Sequence, residues 1–158
     1  MAKLVKLVVF TLDGQRYALR LSAVERIVRA VEVTALPEAP DIVLGVVNVQ
    51  GRVIPVLNIR KRFHLPEREL SLTDQMIIAR TSRRSVVLLI DAVTGAIELS
   101  EGEVIPKEEI FPNLKYVEGV AALREGMTFI HDLDSFLSLQ EEKALQEAMS
   151  ASAEARNE

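Results

Sequence analysis

The stretch GVVNVQGRVIPVLNIRKRF, residues 45–63, decides the fold that we predict for this chain. Its two halves are rich in β-branched residues, and they meet at Gln50-Gly51, where glycine tolerates a positive φ. This pattern predicts a tight β-hairpin. Because Pro55 has no backbone donor, we expect it at a sheet edge or at a bulge of a strongly curved sheet.

Further strands with turn residues between them continue on both sides of this hairpin. Asp13-Gly14 is a pair that favours a two-residue hairpin turn, and apolar segments flank it on both sides. The other predicted strands are residues 7–12, 15–21, 30–35, 75–81, 85–90, 96–99, 117–123 and 127–131. About ten short strands at regular spacing predict an all-β sandwich or a pair of barrels.

A short segment after the second strand has the pattern of a helix. Ser22 and Glu25 stand at the spacing of a capping box. Val24, Ile27 and Val28 recur at i, i+3 and i+4, which predicts a short helix with a narrow apolar stripe. The stripe either covers the mouth of a barrel or is partly exposed for a partner.

The C-terminal segment also predicts a helix. Asp134 or Ser135 is expected to cap it. Its apolar side is predicted to consist of Phe136, Leu137, Ala144, Leu145 and Ala148. Residues 150–158 are small and polar, and we expect them to form a flexible tail.

Composition limits the class of protein. At 158 residues, 49% hydrophobic and 27% charged, the chain can bury a core as one domain or two small ones. Cysteine is absent, which excludes disulfides and thiolate chemistry. The N-terminal residues lack the pattern of a secretory signal, and no apolar run approaches the roughly 20 residues of a membrane span. A soluble cytoplasmic protein is therefore expected.

Residues that could carry chemistry are few. His131, Asp132 and Asp134 are the best catalytic candidates by type, but capping explains at least Asp134. His64 and His131 are the only histidines, and they have no third ligand at suitable spacing. No glycine-rich phosphate loop precedes a helix. We therefore predict no enzymatic activity, no metal and no cofactor.

A tandem small-barrel protein that binds nucleic acid is the alternative function. Its support would be one basic face that combines residues 60–62 with Arg80, Arg83 and Arg84. The net charge of −4 and the shortage of aromatic residues argue against it.

Taken together, several motifs resemble the CheW family of bacterial chemotaxis coupling proteins. They are VVFTLDGQRYALRLSAVERIV, LPEAP, the stretch at residues 45–63, VVLLIDAVTGAIEL, IPKEEIFP, YVEGVAAL and FIHDLDSFL. The resemblance implies an all-β fold of two packed SH3-like five-stranded β-barrels, with short helices and a C-terminal helix. It assigns residues 1–149 to this domain and places an approximate division near 66–74, with strands free to cross between the barrels.

The resemblance also implies partners. CheW-like proteins have no catalytic activity, and they bridge chemoreceptor cytoplasmic tips to the regulatory domain of the CheA histidine kinase. We therefore expect a cytoplasmic adaptor that is recruited to membrane-associated receptor arrays, without membrane insertion or nucleic-acid binding. Its two partners are expected to use separate surfaces.

Specific residues match the two contact regions of the family. The receptor-binding residues implied are Ala23, Val24, Ile27, Val28, Val86, Val87 and Leu88, along a groove between the barrels. The kinase-binding residues expected are Asn48, Gln50, Gly51 and Arg52. The family motif at this hinge is Asn-Leu-Arg-Gly, whereas this chain has Gln50 in place of the arginine. Glutamine can form hydrogen bonds but carries no charge, so Arg52 is a candidate to supply the charge instead.

Overall fold

The computed structural model describes residues 3–110, 112–124 and 126–156. Its strands are β1 (Leu4–Leu12), β2 (Gln15–Arg20), β3 (Val24–Arg29), β4 (Val43–Val49), β5 (Arg52–Leu57), β6 (Gln75–Arg80), β7 (Ser85–Ile90), β8 (Ala92–Ser100), β9 (Val104–Pro106), β10 (Val117–Leu123) and β11 (Gly126–His131). Its α-helices are α1 (Ile59–Arg62), α2 (Lys107–Ile110) and α3 (Leu139–Arg156). None of these helices is long and apolar enough to cross a membrane.

The strands form two sheets, which confirms the predicted all-β, two-subdomain fold. One sheet has the order β8-β1-β2-β11-β10-β9, so it has six strands rather than the five expected. The other has the order β3-β6-β7-β5-β4. The chain leaves the six-stranded sheet after β2 and returns to it with β8, so the five-stranded subdomain is an insertion. Residues 66–74 lie between two strands of the same sheet, and the expected division there does not separate the subdomains.

The largest apolar cluster lies between the two sheets, and we call it the inter-sheet cluster. Strand β1 contributes Phe10 and Leu12 to it, while Val5, Leu7 and Val9 face the interior of the six-stranded subdomain. Strand β7 has the corresponding position in the five-stranded subdomain. Its Val86 and Leu88 belong to the inter-sheet cluster, and Val87 faces the interior of that subdomain. Since these strands bury both faces, the two subdomains share one continuous apolar interface.

The hairpin at residues 45–63 forms as predicted. Gln50 and Gly51 both have positive φ, at +52° and +86°, as a two-residue hairpin turn with right-handed twist requires. Of the two places expected for Pro55, the sheet edge is wrong, because β5 lies between β7 and β4. The β4–β5 ladder does have a bulge nearby, between Val43 and Gly45, one pair beyond the Val46–Pro55 pair. The sheet accommodates the proline because the ladder from β5 to β7 begins only at Val56.

The helix predicted over Ser22–Val28 is wrong. A single 3₁₀ turn is followed by strand β3, which pairs with β6. A bulge at Glu25 interrupts the ladder, so that Val24 pairs with Ala79 and Ile27 with Ile77. The extra residue places Val24 and Ile27 on one face of a strand although they are three positions apart. The bulge therefore reproduces a helical spacing within a strand.

The strand predicted at residues 30–35 is reduced to one bridge, between Thr34 and Val46. Their two backbone hydrogen bonds measure 2.9 and 2.8 Å. The bridge joins the segment after β3 to β4, which lies at the other end of the sheet, and so curls the sheet toward closure. Gly45 permits this approach, because its φ is +155° and a Cβ there would lie 2.2 Å from the Thr34 carbonyl oxygen.

The C-terminal helix begins later and ends later than predicted. Ser138 caps it: its Oγ accepts from the Glu141 amide at 3.0 Å, and the Glu141 carboxylate accepts from the Ser138 amide at 2.8 Å. Leu145 and Ala148 are buried as predicted, with Leu145 in the inter-sheet cluster. The helix continues to Arg156, so most of the expected tail is helical, and residues 157–158 lie outside the described residues.

Candidate functional site

Strand β3 and the β4–β5 turn lie side by side, joined by side-chain hydrogen bonds. Arg26 Nη1 donates to Gln50 Oε1 at 2.7 Å, across 24 residues of chain. At the preceding residue of β3, Glu25 Oε2 accepts a hydrogen bond of 3.1 Å from Arg52 Nη1. We call Glu25, Arg26, Asn48, Gln50, Arg52 and Ser85 the hinge network.

Glu25 supplies the negative charge of the hinge network. It is the bulged residue of β3, and its Oε1 accepts from Ser85 Oγ at 2.6 Å. Arg52 Nη2 also donates to Ser85 Oγ, at 2.9 Å, which closes a triangle of three side chains. The Ser85 hydrogen bond and the adjacent Arg52 charge lower the pKa of Glu25. Glu25 is therefore a carboxylate at neutral pH.

Asn48 and Gly51 shape the turn that presents the other hinge residues. Asn48 Oδ1 accepts from the Gly51 amide at 2.9 Å, which fixes the turn from inside. Gln50 and Arg52 are exposed, and their side chains both reach β3. Of the four residues expected to bind the kinase, Asn48 and Gly51 thus build the turn. Gln50 and Arg52 present polar side chains at its surface.

The residues expected to bind the receptor are not equally accessible. Ile27 is 40% exposed, and it is the most open apolar member of the set. Ala23 and Val24 are partly buried against the inter-sheet cluster, and Val28 is partly buried against the interior of the five-stranded subdomain.

The structure corrects the expectation that the side chains of Val86, Val87 and Leu88 contact the receptor. Each has 0% exposure, because both faces of β7 are covered. These side chains offer no surface to a partner. Val86 and Leu88 belong to the inter-sheet cluster, against which Val24 packs, and Val87 belongs to the interior cluster of the five-stranded subdomain, against which Val28 packs.

A small cleft of about 120 Å³ lies between the subdomains beside Ala23. Its walls include Arg20 and Glu118 from the six-stranded sheet and Arg80 from the other. Arg20 Nε and Glu118 Oε1 are 2.5 Å apart. The N-terminal end of β3 thus borders a groove between the subdomains, with charged groups along the groove.

The catalytic candidates have structural roles. Asp132 accepts from the Asp134 amide at 3.2 Å, and Asp134 Oδ1 accepts from the Ser82 amide at 2.7 Å. His131 is buried with its Nδ1 at 3.0 Å from the Tyr116 carbonyl oxygen. Burial lowers the pKa of His131 to about 4, so the ring is neutral at pH 7. Within the described residues no cluster of potential metal ligands is present.

At least half of the residues of the basic face expected for nucleic-acid binding are neutralised by ion pairs. The side chains of Arg60, Arg62 and Arg84 are only 11%, 15% and 14% exposed. They form ion pairs with Asp91, Glu141 and Glu142, respectively. These guanidinium groups hold the fold together and are not free to bind phosphates.

The contacts between β3 and the hinge do not follow from the sequence. Glu25 and Arg52 are 27 residues apart, and Glu25 and Ser85 are 60 apart. The only sequence signal is the opposite charge of residues 25 and 52. That signal does not bring the two residues together, because the pattern around residue 25 predicts a helix.

The family model described as "CheW-like domain" matches residues 6–141. The chain is 29% identical to the chemotaxis protein CheW of Rhizobium meliloti, covering 88% of this chain and 91% of the relative. It is 27% identical to CheW of Klebsiella aerogenes, over 84% and 81%.

A solved structure has a similar fold. The crystal structure of the scaffolding protein TtCheW from Thermoanaerobacter tengcongensis superposes with a TM-score of 0.78 at 30% identity. The match covers 89% of this chain and 96% of that protein. The similarity thus includes both subdomains.

Proposed function

Since this chain belongs to the CheW family, we propose that it is a non-enzymatic chemotaxis scaffold that bridges chemoreceptor tips to the regulatory domain of a CheA-type histidine kinase. The observation that carries the proposal is the family match across residues 6–141, which includes every residue of the hinge network. The groups that could have supported catalysis are used as caps and backbone acceptors instead.

The receptor is proposed to contact the exposed side of β3 and the adjoining groove. Ile27 supplies the accessible apolar surface, with Val24 and Ala23 at the edge of the groove. An apolar residue surrounded by charged groups is the usual anatomy of a modest protein interface. Val28, Val86, Val87 and Leu88 act indirectly, by supporting β3.

The kinase is proposed to contact the β4–β5 turn. Gln50 and Arg52 provide the polar groups, and Asn48 and Gly51 fix their geometry. The two proposed surfaces adjoin each other at the Arg26–Gln50 and Glu25–Arg52 contacts. A scaffold of this kind needs only modest affinity at each surface, because many copies in an array give a high effective concentration.

Reconstitution tests this function. The protein is mixed with a receptor signalling fragment and a CheA-type kinase, and kinase autophosphorylation is measured with each component left out in turn. We expect receptor-dependent autophosphorylation only when this protein is present. If kinase autophosphorylation in the presence of this protein is the same with and without the receptor fragment, the proposal is refuted.

A binding experiment tests whether the surfaces are separate. The kinase regulatory domain is immobilised with this protein bound, and the receptor fragment is added. We expect a ternary complex, since Ile27 and Arg52 lie on different elements of the sheet. Displacement of this protein by the receptor fragment would show that the partners compete for one surface.

A further inference from the structure

A cavity of about 380 Å³ lies where β2, the end of α1 and β11 meet. Its aromatic lining consists of Tyr17, Phe63, Tyr116 and Phe129, together with the imidazole rings of His64 and His131. None of the residues that we propose for receptor or kinase contact belongs to its walls. The volume lies at the lower end of the range of about 300–1,000 Å³ that is typical of small-molecule sites.

The aromatic walls are ordered by mutual stacking. Tyr17 and Phe63 stack with ring centroids 5.2 Å apart, and Phe63 and His131 stack at 4.3 Å. The side chain of Arg62 lies over the ring of Tyr116, at 5.3 Å from its centroid. Flat, preorganised walls of this kind favour a planar ring over a flexible aliphatic group.

The charges around the cavity have one sign. Arg62 and Lys115 line it, and no aspartate or glutamate does. Arg62 is already paired with Glu141, whose Oε2 lies at 2.7 Å. Within the described residues Lys115 makes no hydrogen bond or ion pair, so its ammonium group is available to an anion.

Two lining residues carry a buried nitrogen without a hydrogen-bond partner. These atoms are Arg62 Nε and His131 Nε2. Because His131 Nδ1 faces a carbonyl oxygen, it must carry the proton, and Nε2 is then an acceptor. Arg62 Nε is a donor. Unpaired buried polar atoms of this kind are uncommon. Both nitrogens are closed off from solvent, so the ligand contacts come from the rings and from Lys115 instead.

We propose that this cavity binds a small aromatic carboxylate. Its ring packs against the aromatic walls, and its carboxylate is held by Lys115. This site is independent of the scaffold function, and either proposal can fail without the other.

Titrations of the isotope-labelled protein followed by NMR test the proposal. The probes are benzoate, 4-hydroxybenzoate, cyclohexanecarboxylate and benzyl alcohol. We expect saturable shifts of the amides at residues 114–117 and 129–131 with the two aromatic acids. The non-aromatic acid and the uncharged alcohol should bind at least about fivefold more weakly, since each lacks one of the two contacts.

Two variants locate the binding. Lys115→Gln should weaken benzoate binding about fivefold, whereas the matched control Lys143→Gln, in α3, should leave it unchanged. Leu114→Trp, at a partly exposed lining position, should fill the cavity and abolish binding. The proposal is overturned if the acids cause no saturable shift at these residues, or if Lys115→Gln binds benzoate like the unmodified protein.

Discussion

Arg26 in strand β3 donates a hydrogen bond of 2.7 Å to Gln50 in the β4–β5 turn. This contact explains how the chain accommodates glutamine where the family motif has arginine. A guanidinium at position 50 would face the guanidinium of Arg26, whereas the glutamine carbonyl accepts from it. The contact also joins the strand proposed for the receptor to the turn proposed for the kinase.

The first prediction concerns this pair. Gln50→Arg should destabilise the protein by up to about 1 kcal/mol, because two exposed like charges then face each other. Arg26→Glu combined with Gln50→Arg should recover the loss by forming an ion pair. Urea unfolding of both single variants and the double variant measures the coupling. Simple additivity of the two single changes would show that residues 26 and 50 do not interact in solution.

Ile27→Glu should weaken receptor binding by about tenfold, because it places a carboxylate in the proposed apolar contact. Ile27 is 40% exposed, so its replacement should cost only about 1–2 kcal/mol of stability, which leaves the protein folded. Val24→Glu tests the same surface less cleanly, because Val24 packs against the inter-sheet cluster.

Met127→Glu is the matched control for Ile27→Glu. Met127 is 54% exposed and lies in the six-stranded sheet. Pull-down with a receptor signalling fragment compares the two variants. Equal retention of both would argue against β3 as the receptor surface.

The protein should become less stable as the pH decreases, because folding holds His131 neutral. Its pKa drops from 6.5 to about 4 on folding, so the unfolded chain binds the proton more readily. The stabilisation is complete above about pH 6.5 and is lost as the pH falls toward 4. Between pH 7 and pH 5 the loss should amount to about 2 kcal/mol.

Urea unfolding at several pH values measures this dependence. His131→Phe, which keeps an aromatic ring beside Phe63, should flatten the profile between pH 5 and 7. The acids with lowered pKa, such as Glu25, titrate below this window and do not disturb the comparison. An unchanged slope in the variant would assign the effect to another group.

Arg84 clamps α3 to the β6–β7 turn. Its Nε lies 2.5 Å from Glu142 Oε1, and its Nη2 donates to Gln146 at 2.7 Å. Arg84→Ala should cost about 3 kcal/mol, because the mostly buried Glu142 loses its counter-charge. Arg83→Ala, at an exposed neighbour, is the control and should change little. Urea unfolding and amide exchange in α3 measure the difference, and equal effects of the two variants would contradict the clamp.

Gly45→Ala should destabilise the five-stranded subdomain by about 2–4 kcal/mol. The new Cβ would overlap the Thr34 carbonyl, and the positive φ adds strain. Gly102→Ala meets no atom within 4 Å and is the control. Thermal unfolding distinguishes them, and a Gly45→Ala protein as stable as the control would mean that the bridge to Thr34 is dispensable.

Much of the fold could be predicted from local patterns. The turns at Asp13-Gly14 and Gln50-Gly51 both adopt the positive φ values that these residue types favour. The β6–β7 and β10–β11 hairpins also lie where the sequence predicts them. The order and spacing of the motifs are together specific enough to indicate the family. Of the expected contact residues, those at the hinge and Ile27 are accessible, but Val86, Val87 and Leu88 are not.

By itself, the sequence determined where the chain turns and which segments extend, because turn and strand preferences depend on neighbouring residues. Only the tertiary structure decided that Val24, Ile27 and Val28 lie on a bulged strand, that β7 is covered on both faces, and that Glu25 meets Arg52 and Ser85. The physical reason is that strand partners lie far apart along the chain. Local periodicity cannot encode the register between them, and a bulge imitates the period of a helix.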